Sequence, residues 1–211
     1  ARVIQFASAA SGEGVSTVAR EYARLAAVRA RRPVWLIDGD LMQQGQLEAV
    51  AADADRFGQL GKPAQASPDG SAFFTVTPRV VGRDGKPVPP SRLMTARPCL
   101  GGRLWVTRFH MEALRSGHRV EAIGEPRYWD ALRPHADTIV IDAPAADRND
   151  MAIILAPFVD MTVLVVAAES TAANEPVILR DEIEAVGGRI AGVVMNRSTY
   201  KTPSFLKRLA G

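Results

Sequence analysis

Three aspartates and one glycine-bearing loop are the residues of this chain whose types and spacing suit chemistry. Asp38 and Asp40 follow the apolar run Val34–Ile37, and Asp142 follows the run Thr138–Ile141. Carboxylates at strand ends offer hard oxygen ligands of the kind Mg2+ takes, and Asp142 can orient a metal-bound water. The loop reads Ser8-Ala9-Ala10-Ser11-Gly12-Glu13-Gly14-Val15-Ser16-Thr17. It sits between an apolar strand and a helical stretch, where backbone N–H groups can point at a phosphate. Gly12 and Gly14 permit tight curvature, and Ser16 is placed to give its hydroxyl to Mg2+. The candidate phosphate-binding residues are therefore Ser11, Gly12, Glu13, Gly14, Val15, Ser16 and Thr17. Ser16, Asp38 and Asp142 are the candidate metal ligands. Asp38 and Asp40 are the candidate catalytic residues if the chain is active. Asn196, after the last apolar run, offers an amide to a purine edge; a turn asparagine is the plain alternative.

The loop has a valine, Val15, where a phosphate loop of this kind carries lysine. That lysine reaches the β- and γ-phosphates and neutralises charge that develops in phosphoryl transfer. Valine does neither, and loss of one such contact costs orders of magnitude in rate. The backbone cradle does not depend on it. Arg20, about one helical turn further on, is a conceivable substitute.

The elements that must position these residues alternate between strands and helices. Val3–Ala7, Val34–Ile37, Leu104–Thr107, Thr138–Ile141, Thr162–Val166 and Ile190–Met195 read as strands. Helical spacing runs from Ser16 to Arg31, with Val18, Tyr22, Leu25, Ala26 and Val28 as its apolar positions. Further helices are expected over 127–132, 149–155 and 172–186, the last closed by Gly187-Gly188. Buried strands alternating with helices predict an α/β fold: a doubly wound, mostly parallel sheet with helices on both faces. Ligands of such sheets bind beyond the C-terminal strand ends, where every polar cluster above lies. The chain is read as one domain, 1–211, with an irregular insertion around 53–100. That insertion holds seven of the 14 prolines. Phe73–Thr77 and Arg79–Val81 read there as short strands, and Asp84-Gly85 as a turn. It is expected to be a hairpin with loops, a binding or lid element, or a disordered stretch.

Together these motifs resemble the deviant Walker-A ATPases related to MinD and ParA. Within that superfamily they look most like the cytoplasmic domains of bacterial tyrosine kinases of polysaccharide export. The loop pattern Ser-x-x-x-Gly-Glu-Gly-Lys-Ser-Thr is matched from Ser8 to Thr17 except at Val15. An apolar run with Asp-x-Asp is matched by Val34–Asp40, and one with Asp-x-Pro by Ile139–Pro144. Val159–Val166 and Gly192–Arg197 match two further segments. The resemblance implies ATP or ADP with Mg2+ as ligands, with Asn196 touching adenine. It implies a cytoplasmic place at the inner face of a membrane, through a membrane polysaccharide chain-length or export protein, and possible homo-oligomers. The departures are Val15, Ala10 where the MinD/ParA branch has its signature lysine, and Tyr200 as the sole tyrosine near the end. The expected function is thus a degenerate, kinase-like regulatory domain with weak or no hydrolysis. The alternatives are an active ATPase or kinase with a substitute arginine, and a MinD/ParA-like positioning ATPase.

Composition narrows the field without choosing within it. Net charge is +3, and the basic residues are scattered rather than interleaved with aromatics, so no nucleic-acid partner is expected. No apolar run approaches the roughly 20 residues of a membrane span. One cysteine, Cys99, excludes an internal disulfide. The three histidines lack metal-ligand spacing, and no nucleophile elbow is present.

Overall fold

The computed structural model describes residues 1–168 and 174–197. Tyr200 lies outside the described residues, as does the start expected for the last helix. The strands are β1 (Arg2–Ala7), β2 (Val34–Asp38), β3 (Ala64–Gln65), β4 (Phe74–Thr77), β5 (Met94–Cys99), β6 (Leu104–Phe109), β7 (Arg119–Ala122), β8 (Thr138–Asp142), β9 (Met161–Ala167) and β10 (Ile190–Asn196). The helices are α1 (Val15–Arg29), α2 (Gln46–Ala52), α3 (Ala54–Phe57), α4 (Arg127–Leu132), α5 (Met151–Leu155) and α6 (Glu175–Ala185).

Among the described residues, eight strands form one sheet in the order β10-β9-β1-β8-β2-β6-β5-β3. The six from β10 to β6 run parallel, and β5 and β3 are antiparallel additions at one edge. All five residues of β2 are buried, as suits a parallel strand covered on both faces. The register pairs Phe6 with Asp142 and Asp38 with Asp142. Three neighbouring strands therefore end level, and their polar tips converge.

Helix α1 covers one face of the sheet. Its buried residues are Val15, Ala19, Ala23 and Ala27, spaced four apart. The expected apolar positions Leu25 and Val28 instead face outward, 57% and 52% exposed, and Tyr22 is exposed with its ring beside Phe6. Small inner residues let the helix backbone lie close on the sheet, where larger side chains would not fit. The helix ends at Arg29, two residues before the expected end, because Ala30 is extended.

The opposite face carries α4, α5, α6 and a ribbon of β4 paired with β7. Here the 53–100 stretch enters the core. Phe73, Phe74, Val76, Val80, Leu93 and Met94 are buried with Phe109, Tyr128 and Trp129. Phe73 stacks on Trp129 at 5.2 Å between ring centroids, and Phe74 meets Phe109 edge-on at 5.2 Å. The Asp84-Gly85 turn forms: Val88 N donates to Val80 O at 2.8 Å, and Gly82 N to Lys86 O at 2.8 Å. The strand expected over 79–81 is reduced to one bridge, Val81 with Pro87.

Candidate functional site: a phosphate loop at the strand ends

The glycine-bearing loop leaves β1 at Ala7 and enters α1 at Val15. Gly14 stands before the helix with φ +93°, a left-handed conformation that side chains rarely adopt. Thr17 N and Val18 N both donate to Gly14 O, at 3.1 and 3.0 Å, and close the first turn. The first N–H groups of a helix lack intrahelical partners and carry its positive dipole end toward the loop. No acidic residue lies in that first turn.

Glu13 holds the loop from inside. It is 2% exposed. One carboxylate oxygen accepts from Ala10 N and the other from Ala167 N, both at 3.0 Å. Its carbonyl accepts the Asn196 side-chain amide at 2.8 Å. Asn196 thus spends its Nδ2 on the loop backbone, while its Oδ1 accepts from Arg197 N at 2.9 Å. The sequence offered this amide to a purine edge; in the structure it is a strut between β10 and the loop. A Cβ built on Gly14 would lie 2.1 Å from Asn196 Nδ2, so Gly14 leaves the room that strut needs.

Val15 is 7% exposed and packs in the cluster of Phe6, Ala19 and Val140. It also borders a cavity of about 210 Å3 that Ser11–Ser16 form with Ala143, Ala145, Arg148 and Arg197. The side chain at this position is therefore shared between core and cavity.

The carboxylates lie beside this loop. Asp38 is buried; its Oδ2 accepts from Gly45 N and Gln46 N at 2.9 and 3.0 Å. Burial pushes its pKa up to about 6, against the pull of those two N–H groups. Asp142 is buried as well, and its Oδ2 accepts from Gln46 Nε2 at 2.6 Å. The nearby Ser16 hydroxyl also favours its charged form. Burial first, and then the charge of Asp38, push Asp142 up to about 7. Asp142 Oδ1 is buried without a hydrogen-bond partner. Asp40 sits further out, where its Oδ2 meets Arg148 at 2.7 Å and its Oδ1 accepts from Gln43 N at 3.0 Å.

Ser16, Asp142 and Asp38 therefore come together, and Asp40 stands at the rim. Among the described residues no group of three or more His, Cys, Asp or Glu side chains is placed to hold a metal ion. A Mg2+ here would rest on Ser16, Asp142, water and a phosphate, a pattern Mg2+ accepts because it keeps several waters. The orphan Asp142 Oδ1 and the hard oxygen donors fit such an ion.

Sequence reasoning missed Gln46. Its backbone N–H binds Asp38, and its side chain links Asp142 with Ser16 O, the latter at 2.9 Å. Arg20 joins this cluster from behind through Gln46 Oε1 at 3.2 Å, so it does not face the cavity. Also missed was the segment after β8. Ala146 N and Asp147 N donate to Ser8 O and Ala9 O, at 2.9 and 3.1 Å, and Asp147 takes the N–H and hydroxyl of Ser11 at 2.8 Å each. No periodicity marks an irregular stretch after a proline, although a polar run after a strand-end Asp-x-Pro was a usable signal.

No family model matches the chain, and no curated protein matches it. Solved structures do. The kinase domain of the Escherichia coli tyrosine kinase ETK superposes with a TM-score of 0.64 at 15% identity, over 96% of this chain and 69% of that one. The VpsO kinase domain gives 0.58 at 21% identity, over 94% and 85%. The septum site-determining protein MinD from Pyrococcus horikoshii, solved with Mg-ADP, gives 0.58 at 16% identity, over 98% and 76%. The chain accordingly has the α/β P-loop fold that bacterial tyrosine-kinase domains share with MinD-like ATPases.

Proposed function

We propose that this chain is a nucleotide-holding, kinase-like domain of exopolysaccharide or capsule export that acts by regulation, with little or no ATP hydrolysis. One observation carries the reading. The cradle of Gly12, Gly14 and the α1 N-terminus is fully built, whereas position 15 is an apolar side chain packed into the core. ADP or ATP would lie with its phosphates over Ser11–Thr17. Mg2+, held through Ser16 and Asp142, would supply charge neutralisation for the phosphates. Asp38 and Asp40 would order water around it. The cytoplasmic setting, a membrane chain-length or export protein as partner, and homo-oligomers belong to the same reading and rest on the resemblance to polysaccharide-export kinases. Among the described residues no helix is long and apolar enough to cross a membrane.

The test is calorimetry with ADP and ATP plus Mg2+ on the wild type and on Val15→Lys, alongside ATP turnover. The expected results are measurable binding and negligible turnover in the wild type, with tighter binding in the lysine variant. Steady wild-type hydrolysis that disappears in Asp142→Ala refutes the regulatory reading. That outcome favours the second reading, an active enzyme with a substitute arginine. Single arginine replacements then identify it, starting with Arg20, which is held on Gln46 Oε1.

A further inference from the structure

We infer that Arg148 is the phosphate-binding cation of this site, and that it approaches from the strand-β8 side rather than from α1. The inference rests on the nucleotide-holding reading and names a contact within it. Arg148 lines the same cavity as Ser11, Gly12, Gly14, Val15 and Ser16. Its backbone is fixed there: Arg148 N donates to Ala145 O at 3.0 Å, and the two residues before it are bonded to Ser8 O and Ala9 O. Its side chain is anchored at the wall shared with a neighbouring cavity that Asp40 and Gln43 line, since one guanidinium nitrogen contacts Asp40 Oδ2 at 2.7 Å and also reaches Gln43 Oε1.

A guanidinium has five N–H donors in a planar fork, so one nitrogen held by Asp40 leaves Nε and the other Nη for a ligand. Such a fork suits phosphate oxygens, which it can bind in pairs. Asp40 then acts as a positioning residue for Arg148. Of the nearby carboxylates, the buried Glu13 borders the cavity with both oxygens on backbone N–H groups, while Asp147 is held on Ser11 and Asp40 lines the neighbouring cavity. The loop holds no lysine, so the positive charge a polyphosphate needs must come from elsewhere. Arg197 also lines the cavity, but among the described residues its guanidinium has no ion pair to orient it. The ligand class is a pyrophosphate group, whether free or within a nucleoside diphosphate. The inferred role is binding; transfer of the phosphoryl group is not part of it.

Calorimetry with inorganic pyrophosphate and with ADP, each with Mg2+, tests this on the wild type, Arg148→Ala, Arg148→Lys and Arg197→Ala. Loss of a charged hydrogen-bonding partner should weaken both ligands by about tenfold or more in Arg148→Ala. Arg148→Lys should recover part of that loss, and Arg197→Ala should change affinity less. Thermal melts of the unliganded variants check that Arg148→Ala remains folded, and the lysine variant reports on charge even if the alanine variant does not. If the wild type binds ADP and neither Arg148 variant differs from it, the inference fails and the nucleotide-holding reading stands. A larger loss in Arg197→Ala also overturns it. If the wild type binds neither ligand, both fall together.

Discussion

Replacing Gly14 by alanine should damage this protein more than the same change at Gly12, and the difference measures the Asn196 strut. Both glycines have positive φ, +93° and +84°. Alanine at either pays a left-handed backbone penalty of roughly 1–2 kcal/mol. At Gly12 nothing lies within 4 Å of an added Cβ, so the penalty is the whole effect. At Gly14 the Cβ would meet Asn196 Nδ2 at 2.1 Å. That amide must move, and its hydrogen bond to Glu13 O is lost, which adds about 1 kcal/mol and more if the carbonyl stays buried and unpaired. Gly14→Ala should therefore cost about 2–4 kcal/mol in urea unfolding, against about 1–2 for Gly12→Ala. In an Asn196→Ala background, Gly14→Ala should cost little more than Gly12→Ala does, because the two changes share one contact. Equal costs for the two glycine variants, or strictly additive costs in the double variant, would refute the strut.

Other outcomes follow from the same geometry. Glu13→Gln puts an amide donor against one of two backbone N–H groups and should cost about 2 kcal/mol, read by denaturant unfolding; a change within 0.5 kcal/mol would remove Glu13 as the loop's internal anchor. Phe73→Ala should cost about 3–5 kcal/mol, since a fully buried ring in contact with Trp129 leaves a cavity; a mild effect would mean the 53–100 stretch is not part of the core. Asp142 holds its proton more tightly in the folded state, up to about pH 7, than the ordinary value of 3.8. In chelator, stability should therefore fall as pH rises through that window, by at most about 4 kcal/mol. Asp142→Asn should flatten that fall and melt higher than wild type at pH 8; an unchanged pH profile of melting temperature sinks the argument.

Much of the site was legible because its carboxylates end apolar, β-branched runs. Val34–Ile37 and Thr138–Ile141 could be little else than buried parallel strands, and that fixed where Asp38 and Asp142 must lie. Strands β5 and β7 were not legible. Met94–Cys99 contains an arginine and a proline, and Arg119–Ala122 is half charged; each is held by its neighbour rather than by its own propensity. Helix α1 was recognised, but its inner face was assigned to its large apolar residues, whereas close packing selected alanines. Glu13 carried no helix-cap signal: it reaches back three residues to Ala10 N within the loop, ahead of the α1 N-cap Gly14. Gln46 carried none, because its role depends on which strand tips stand side by side.

Glu13 ties together parts of the chain that are far apart in sequence. Its side chain grips the start of the loop and the end of β9, and its carbonyl holds the tip of β10 through Asn196. Phosphate loops are usually regarded as receptors, shaped for what they receive. This one is also a keystone. Its curvature is set by bonds internal to the protein, so the proposed phosphate ligand would find the cradle already made, with little ordering left to do. The converse is mechanical: a pull on the tip of β10 reaches the crest of the loop through two hydrogen bonds in series, without passing through the hydrophobic core. A partner that grasped that strand would have its hand on the loop.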